Sequence, residues 1–204
     1  MSAGRVVLLS GGLDSAVLLA VEAAAGNEPM CLSFDYGQRH ADRELAAAGA
    51  VAEYYGAERV VIGLPPDVFR GSALTGGGPV PHGHYADPAQ AATVVPNRNM
   101  VLVACAAAYA RSAGRGLVGV AAHKGDAAVY PDCRPEFFDA LGAALRFGCG
   151  VRLHAPFLSL TKREVVAIGR DLSVPFRLTW SCYEGGEAPC GLCGACVERA
   201  EALA

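Results

Sequence analysis

Strand-length apolar runs alternating with helix-length stretches predict an α/β fold, a doubly wound parallel five-stranded sheet with a small C-terminal appendage. Three observations carry this reading. Five short apolar runs are each followed by a helical pattern. A glycine turn directly follows the first run, where open α/β sheets bind ligands. Four of eight cysteines crowd the last quarter of the 204-residue chain. With 52% hydrophobic and 18% charged residues the chain can bury a real core. The expected division is a main domain over 1–177 and a four-cysteine segment with a C-terminal helix over 178–204.

Arg5 to Leu9 reads as a buried strand, followed by the glycine turn and a helix from about Asp14 to Ala25. Met30 to Phe34 is the second strand, leading through Asp35-Tyr-Gly-Gln-Arg-His40 into an alanine-rich helix to about Tyr55. Arg59 to Ile62 is the third strand. Gly63 to Pro96, rich in Gly and Pro, reads as a long loop, a mobile or functional lid or insertion. Asn97 is read as the cap of a helix from about Arg98 to Arg111, Gly116 to Val120 as the fourth strand, and Pro135 as the opening of a further helix. Val151 to His154 is the fifth strand, and Thr161-Lys-Arg-Glu164 is a capping box starting the next helix. No repeats or heptads are present.

A formal charge of −3 supplies no general reason to bind nucleic acid, so such a partner is not expected. Arg5 to Leu9 is far too short for a signal peptide or spanning helix, and the run Met100 to Ala110 stops at Arg111. A soluble, unexported, cytoplasmic protein without a membrane partner is expected, and its cysteines point to metal or catalysis rather than disulfides. Cys31 and Cys105 lie in apolar runs and read as small core residues.

Ser10-Gly-Gly-Leu-Asp-Ser15 lies between strand and helix, where unpaired amides and the positive end of the helix dipole can hold phosphate oxygens. Glycines allow close approach, Ser10 and Ser15 add hydroxyls, and the Gly-Lys-Ser end of a Walker loop is missing. The hexapeptide resembles the PP-loop of the adenine-nucleotide α-hydrolase superfamily, whose members split ATP between its α and β phosphates and leave AMP on a substrate oxygen.

Cys182, Cys190, Cys193 and Cys196 bring four thiolates within fifteen residues, enough for a closed tetrahedral zinc site. Such a site leaves no position for water and is structural. The spacing also suits an iron–sulfur cluster.

Only two lysines, Lys124 and Lys162, stand against fifteen arginines. Lys162 follows the fifth strand at a helix start, where a cation opposes the dipole, a placement that suggests a phosphate ligand. Tyr130-Pro-Asp-Cys-Arg134 combines an acid, a thiol and a guanidinium before a helix. Arg134 can pair bidentately with carboxylate or phosphate, and Asp132 alternatively reads as a helix cap. Cys133 lacks an evident His partner for nucleophilic work.

Together SFDYGQRHADRE, TVVPNRNMVLVACA, YPDCRPEF, LTKRE and TWSCYEGGEAPCGLCGAC resemble the 7-cyano-7-deazaguanine synthase (QueC) family over nearly the whole chain. The resemblance implies ATP activation of the 7-carboxy-7-deazaguanine carboxylate, attack by ammonia to give the amide, and a second activation that dehydrates the amide to the nitrile. It implies that Leu9, Ser10, Gly11, Gly12, Leu13, Asp14, Ser15, Ala16, Val17, Leu18 and Leu19 form the ATP-binding segment, joined by Arg98. It places Ser15, Lys162, Asp132 and Arg134 in catalysis, with Arg98, Asp132 and Arg134 toward the substrate base and carboxylate. Magnesium on the pyrophosphate, zinc on the four cysteines and a homodimer are implied as well. The segment AAHKGDAAV departs from relatives with a His-x-Gly-Asp-His pattern, which Ala127 breaks.

The competing readings are a relative diverted to deazapurine natural products or protein conjugation, a PP-loop tRNA thiolase, and a zinc-stabilised ATP sensor without turnover. The charge of −3 opposes the thiolase, and Lys162 and Arg134 beside an intact loop oppose the sensor.

Overall fold

The apolar runs at Arg5–Leu8, Met30–Asp35 and Leu117–Gly119 are covered on both faces, as a parallel arrangement with crossover helices provides, whereas those at Arg59–Gly63 and Arg152–His154 are partly exposed. In the computed structural model, which describes residues 4–204, strands β1 (Arg5–Leu8), β2 (Met30–Asp35), β3 (Arg59–Gly63), β4 (Leu117–Gly119) and β5 (Arg152–His154) pair in parallel, in the order β3-β2-β1-β4-β5. Side chains alternate across it. Val6, Leu32 and Val118 point into one core, whereas Val7 and Cys31 point into the other.

Helices α1 (Leu13–Ala24) and α2 (Ala41–Tyr54) cover the Val7 face, with α6 (Lys162–Asp171) beside α1. The Val6 face is covered by α3 (Arg98–Ser112) and α5 (Pro135–Cys149), while the one-turn α4 (Asp126–Val129) sits between β4 and α5 in sequence. The last helix, α7 (Gly194–Leu203), packs on α6. Strand order reverses between β1 and β4, so the loops after these strands diverge and leave a crevice at their carboxyl ends. Cys182, Cys193 and Cys196 are buried in the same core as Val6 and Val118, and the cysteine segment therefore shares the main domain's interior.

Expected elements lie within one or two residues of those observed, and the Thr161–Glu164 capping box is complete. Two expectations are corrected. Residues 63–96 carry three short 3₁₀ turns, Pro66–Val68, Ala73–Thr75 and Pro88–Thr93, and bury Phe69, Leu74, Val80, Tyr85 and Val95 in the core. Of the two alternatives, lid or insertion, this is an insertion packed on the core, because its apolar side chains outweigh its Gly and Pro content. It also binds the cysteine segment, with Gly83 N donating to Leu192 O at 2.9 Å and His82 bridging Cys193.

The second correction concerns Asn97. It occupies the N-cap position of α3 in a left-handed conformation (φ 53°) and makes no side-chain cap bond. Asp132 supplies the cap from 33 residues away, its Oδ2 accepting Asn99 N at 2.8 Å. The apolar stretch Pro88–Ser112 breaks at this point, and the 15-residue α3 spans about 22 Å, less than the roughly 30 Å of a bilayer core.

Loss of a capping carboxylate costs about 1–2 kcal/mol, and each kcal/mol moves Tm by roughly 2–4 °C in a chain of this size. Asp132→Ala is therefore expected to melt lower by about 2–8 °C, read by thermal circular dichroism. An unchanged Tm would remove the cap from the account.

Candidate active site

The loop between β1 and α1 is held open by its own side chains. Ser10 Oγ accepts Gly12 N at 3.2 Å and lies 3.1 Å from Ser15 Oγ, which donates to Gly12 O at 3.0 Å. Gly11 adopts φ +84°, and a Cβ there would lie 2.5 Å from Ala48 N and 2.6 Å from Glu44 O, so only glycine lets α2 approach. No side chain caps α1. Its first amides and positive dipole end therefore meet the crevice, where Ser10, Gly12, Leu13, Asp14 and Ser15 form the wall. Leu9 also lines it, whereas Ala16, Val17, Leu18 and Leu19 are fully buried in the core.

Lys162, at the first position of α6, extends its Nζ to 2.6 Å from Asp14 Oδ2 and 3.4 Å from Glu198 Oε2. Burial disfavours the ammonium, but Asp14, Glu198 and Asp126 outweigh it and hold the Lys162 pKa above its ordinary value. His123 Nε2 lies 3.3 Å from the same nitrogen. Its Nδ1 accepts Gly125 N at 3.0 Å, and its Nε2 also faces Asp126 Oδ1 (3.5 Å) and Glu198 Oε1 (3.7 Å). Asp126 is fixed by His123 N (3.0 Å) and Tyr85 OH (3.0 Å). The departing segment thus keeps His123 and Asp126 in the site, while the carbonyl of Ala127 accepts Arg134 Nε at 3.5 Å.

Behind the loop a cavity of about 240 Å³ runs into an aromatic recess. Arg98 donates to Tyr36 OH at 3.2 Å and lies 5.8 Å over the Tyr130 ring, whose hydroxyl meets Thr93 Oγ1 (3.0 Å) and Tyr183 OH (3.3 Å). Gln38 accepts Tyr36 N at 2.9 Å and donates to Phe34 O (2.9 Å) and Glu44 Oε2 (2.8 Å). Burial pushes the Glu44 carboxyl up to about 7, although Gln38 and Arg98 oppose the shift. Burial, then Arg98, pull His40 down to about 4, and its Nδ1 is buried without a partner among the described residues.

Of Tyr130-Pro-Asp-Cys-Arg134, Tyr130 and Cys133 line the cavity. Asp132 is committed to capping α3 and Arg134 is solvent-exposed. Burial pushes the Cys133 thiol up, and its sulfur accepts Asn99 Nδ2 at 3.2 Å, so it carries no nucleophilic thiolate. Glu198, Glu44, Gln38 and His123 were not identified from the sequence. Each sits in an ordinary helix or loop pattern, and only the fold brings Glu198 and Glu44 to the crevice and buries Gln38 and His123 behind them.

Cys182, Cys190, Cys193 and Cys196 converge with all four sulfurs within 4.8 Å of one another, and Cys190 and Cys196 are 3.9 Å apart. A tetrahedral ion with bonds of about 2.3 Å to sulfur separates its ligands by about 3.8 Å. Backbone amides support the thiolates, Cys193 N (3.3 Å) and Leu192 N (3.4 Å) on Cys190 Sγ, and Cys190 N (3.3 Å) on Cys182 Sγ. The donor set fits one closed metal ion. Four sulfurs around a single point match a mononuclear centre better than a cluster that gives each cysteine its own iron.

A family model described as queuosine biosynthesis protein QueC matches residues 4–204. The chain is 45% identical over 202 residues to a 7-cyano-7-deazaguanine synthase from Desulfotalea psychrophila, covering 97% of this chain and 92% of the relative. It is 45% identical over 208 residues to one from Marinobacter nauticus, with 100% and 94% covered. Among solved structures, an NMN synthetase from Francisella tularensis superposes with a TM-score of 0.55 at 20% identity over 92% of this chain and 69% of that one, a likeness of fold.

The Glu44 shift has a stability signature. Because its folded value (about 7) exceeds the ordinary 4.5, the folded chain holds more protons between those pH values, and this group's contribution falls as pH rises through the window. Glu44→Gln keeps an acceptor for Gln38 and removes the titration. Its Tm is expected to decline less than that of the parent between pH 5 and about 8. Parallel Tm–pH curves would contradict the assignment.

Proposed function

The chain belongs to the family described as queuosine biosynthesis protein QueC, and from that premise we propose that it is an ATP-dependent 7-cyano-7-deazaguanine synthase, a ligase forming C–N bonds. The observation that carries the chemistry is the meeting of the phosphate loop with Lys162 at the mouth of an aromatic recess. A carboxylate oxygen of 7-carboxy-7-deazaguanine attacks the α-phosphorus of ATP and pyrophosphate leaves. Ammonia then attacks the acyl carbon, AMP departs, and the amide forms after loss of a proton. A second ATP activates the amide oxygen in the same way, and departure of AMP with proton loss leaves the nitrile.

The residues divide this work by position. Amides at the start of α1, with Ser10 and Ser15, bind phosphate oxygens, and Lys162 meets the charge that grows on the departing pyrophosphate. Arg98, framed by Tyr36, Tyr130 and Tyr183, would pair with the carboxylate of a planar base among those rings, a reading supported by its hydrogen bond to Tyr36 and its position over Tyr130. Asp132 acts through α3, and Arg134 stands outside the cavity. Magnesium fits at Asp14, whose Oδ1 is buried without a partner among the described residues, and when bound it neutralises phosphate charge. Zinc is the ion that suits four thiolates in a closed shell. A cytoplasmic homodimer acting on small molecules completes the proposal, and the exposed Phe147 is apolar surface available to a second copy.

With ATP and ammonium, mass spectrometry is expected to show 7-carboxy-7-deazaguanine converted to the amide and then the nitrile, with pyrophosphate released. Absence of both products would reject the synthase. Lys162→Met is expected to lower kcat and kcat/KM together, by roughly a hundred- to a thousandfold, with KM for the acid little changed. A change confined to that KM would move Lys162 into substrate binding. Cys190→Ser should lose zinc, measured by elemental analysis, together with Tm. A protein purified anaerobically with iron instead of zinc would contradict the metal assignment.

A further inference from the structure

The four-cysteine segment reaches the site through α7. Cys193 is the N-cap of that helix and Cys196 lies in its first turn. Glu198 follows within the next turn, and its two oxygens face Lys162 Nζ (3.4 Å) and His123 Nε2 (3.7 Å). Arg199 fastens the same helix to the chain before Cys182, donating to Thr179 Oγ1 (2.7 Å), Ser181 Oγ (3.2 Å) and Phe176 O (2.8 Å). A further tie joins this stretch to the phosphate loop, Trp180 N donating to Gly11 O at 2.9 Å. The cysteine centre, the loop and Lys162 therefore form one contiguous frame.

A lysine amine rides on a flexible four-carbon stem and does not hold one position unaided. Asp14 restrains Lys162 from the loop side, but Asp14 belongs to the surface that would receive phosphate and metal. Glu198 restrains it from the opposite element and takes its own position from a helix anchored by two cysteines. We propose that Glu198 is a positioning residue through which the four-cysteine centre holds the Lys162 amine at the phosphate loop. The centre is then a wall of the reaction site as well as a staple of the fold. Only the kinetic arm of the test rests on the synthase reading.

The scarcity of lysine makes the test direct, since Lys124 is exposed and serves as an internal reference. Zinc-loaded protein is trace-labelled with an amine-acylating reagent, and the Lys162 to Lys124 ratio is read by peptide mass spectrometry. Losing a charge-assisted partner is expected to raise that ratio about ten- to a hundredfold in Glu198→Ala. Glu198→Gln, of the same shape, should fall between it and the parent, whereas exposed Glu201→Ala should match the parent. Removing zinc with a chelator, below the melting point of the stripped protein, should raise the ratio in the parent but add little in Glu198→Ala, as expected when both act through one contact. In turnover, Glu198→Ala should lower kcat for pyrophosphate release at unchanged KM while retaining zinc. A parental labelling ratio in both Glu198 variants, or equal effects of zinc removal with and without Glu198, would overturn the proposal. If no variant and no parent turns over, the synthase reading fails while the labelling result still decides this one.

Discussion

The ion pair between Lys162 and Asp14 is the contact on which the rest of the site depends. Its partners lie far apart in the chain, Asp14 in the first turn of α1 after β1 and Lys162 at the start of α6 after β5, yet they meet at 2.6 Å. Burying two charges is costly, and a pair of this kind is weak evidence for stability. A lysine at a helix start adds a further unfavourable term against the dipole. Evolution for stability alone has little reason to build it. The arrangement suits the proposed role of Lys162, in which the amine trades a carboxylate for phosphate oxygens.

That position is over-determined by the surrounding architecture. The strand-order reversal between β1 and β4 opens the crevice, and Gly11 lets α2 close against the phosphate loop where a side chain would collide with its backbone. Residues 63–96 contribute Tyr85 and Thr93, which brace Asp126 and Tyr130. The cysteine segment contributes Tyr183 and Glu198. Three regions that look separable along the chain therefore share one cavity. Tyr36, Tyr130 and Tyr183 gather around Arg98, which donates to the Tyr36 hydroxyl and lies over the Tyr130 ring, whose own hydroxyl meets that of Tyr183.

Features whose physics is local were legible in the sequence. The glycine turn between β1 and α1 announces itself by strand, glycines and helix in succession, the Thr161–Glu164 box by its spacing, and the convergence of the cysteines by their crowding. Long-range partnerships were not legible. Asn97 looked like a cap, but a left-handed backbone turned it aside and Asp132 capped α3 from another segment. Asp132 and Arg134 looked like catalytic candidates; in the fold Asp132 caps α3, Arg134 lies on the surface, and Cys133 between them lines the cavity. The Gly and Pro content of residues 63–96 suggested mobility, whereas Phe69, Leu74 and Val80 anchor them in the core. Glu198 had no sequence signature because its value lies entirely in where α7 is docked.

In the proposed function Lys162 exchanges Asp14 for phosphate at the loop. A crystal structure with magnesium and an ATP analogue carrying a non-cleavable α,β bridge tests it most directly. The account predicts the β-phosphate against the amides at the start of α1, Lys162 Nζ within hydrogen-bond distance of a phosphate oxygen, and Asp14 turned to the metal. A triphosphate bound away from that loop, with Lys162 still on Asp14, would contradict it.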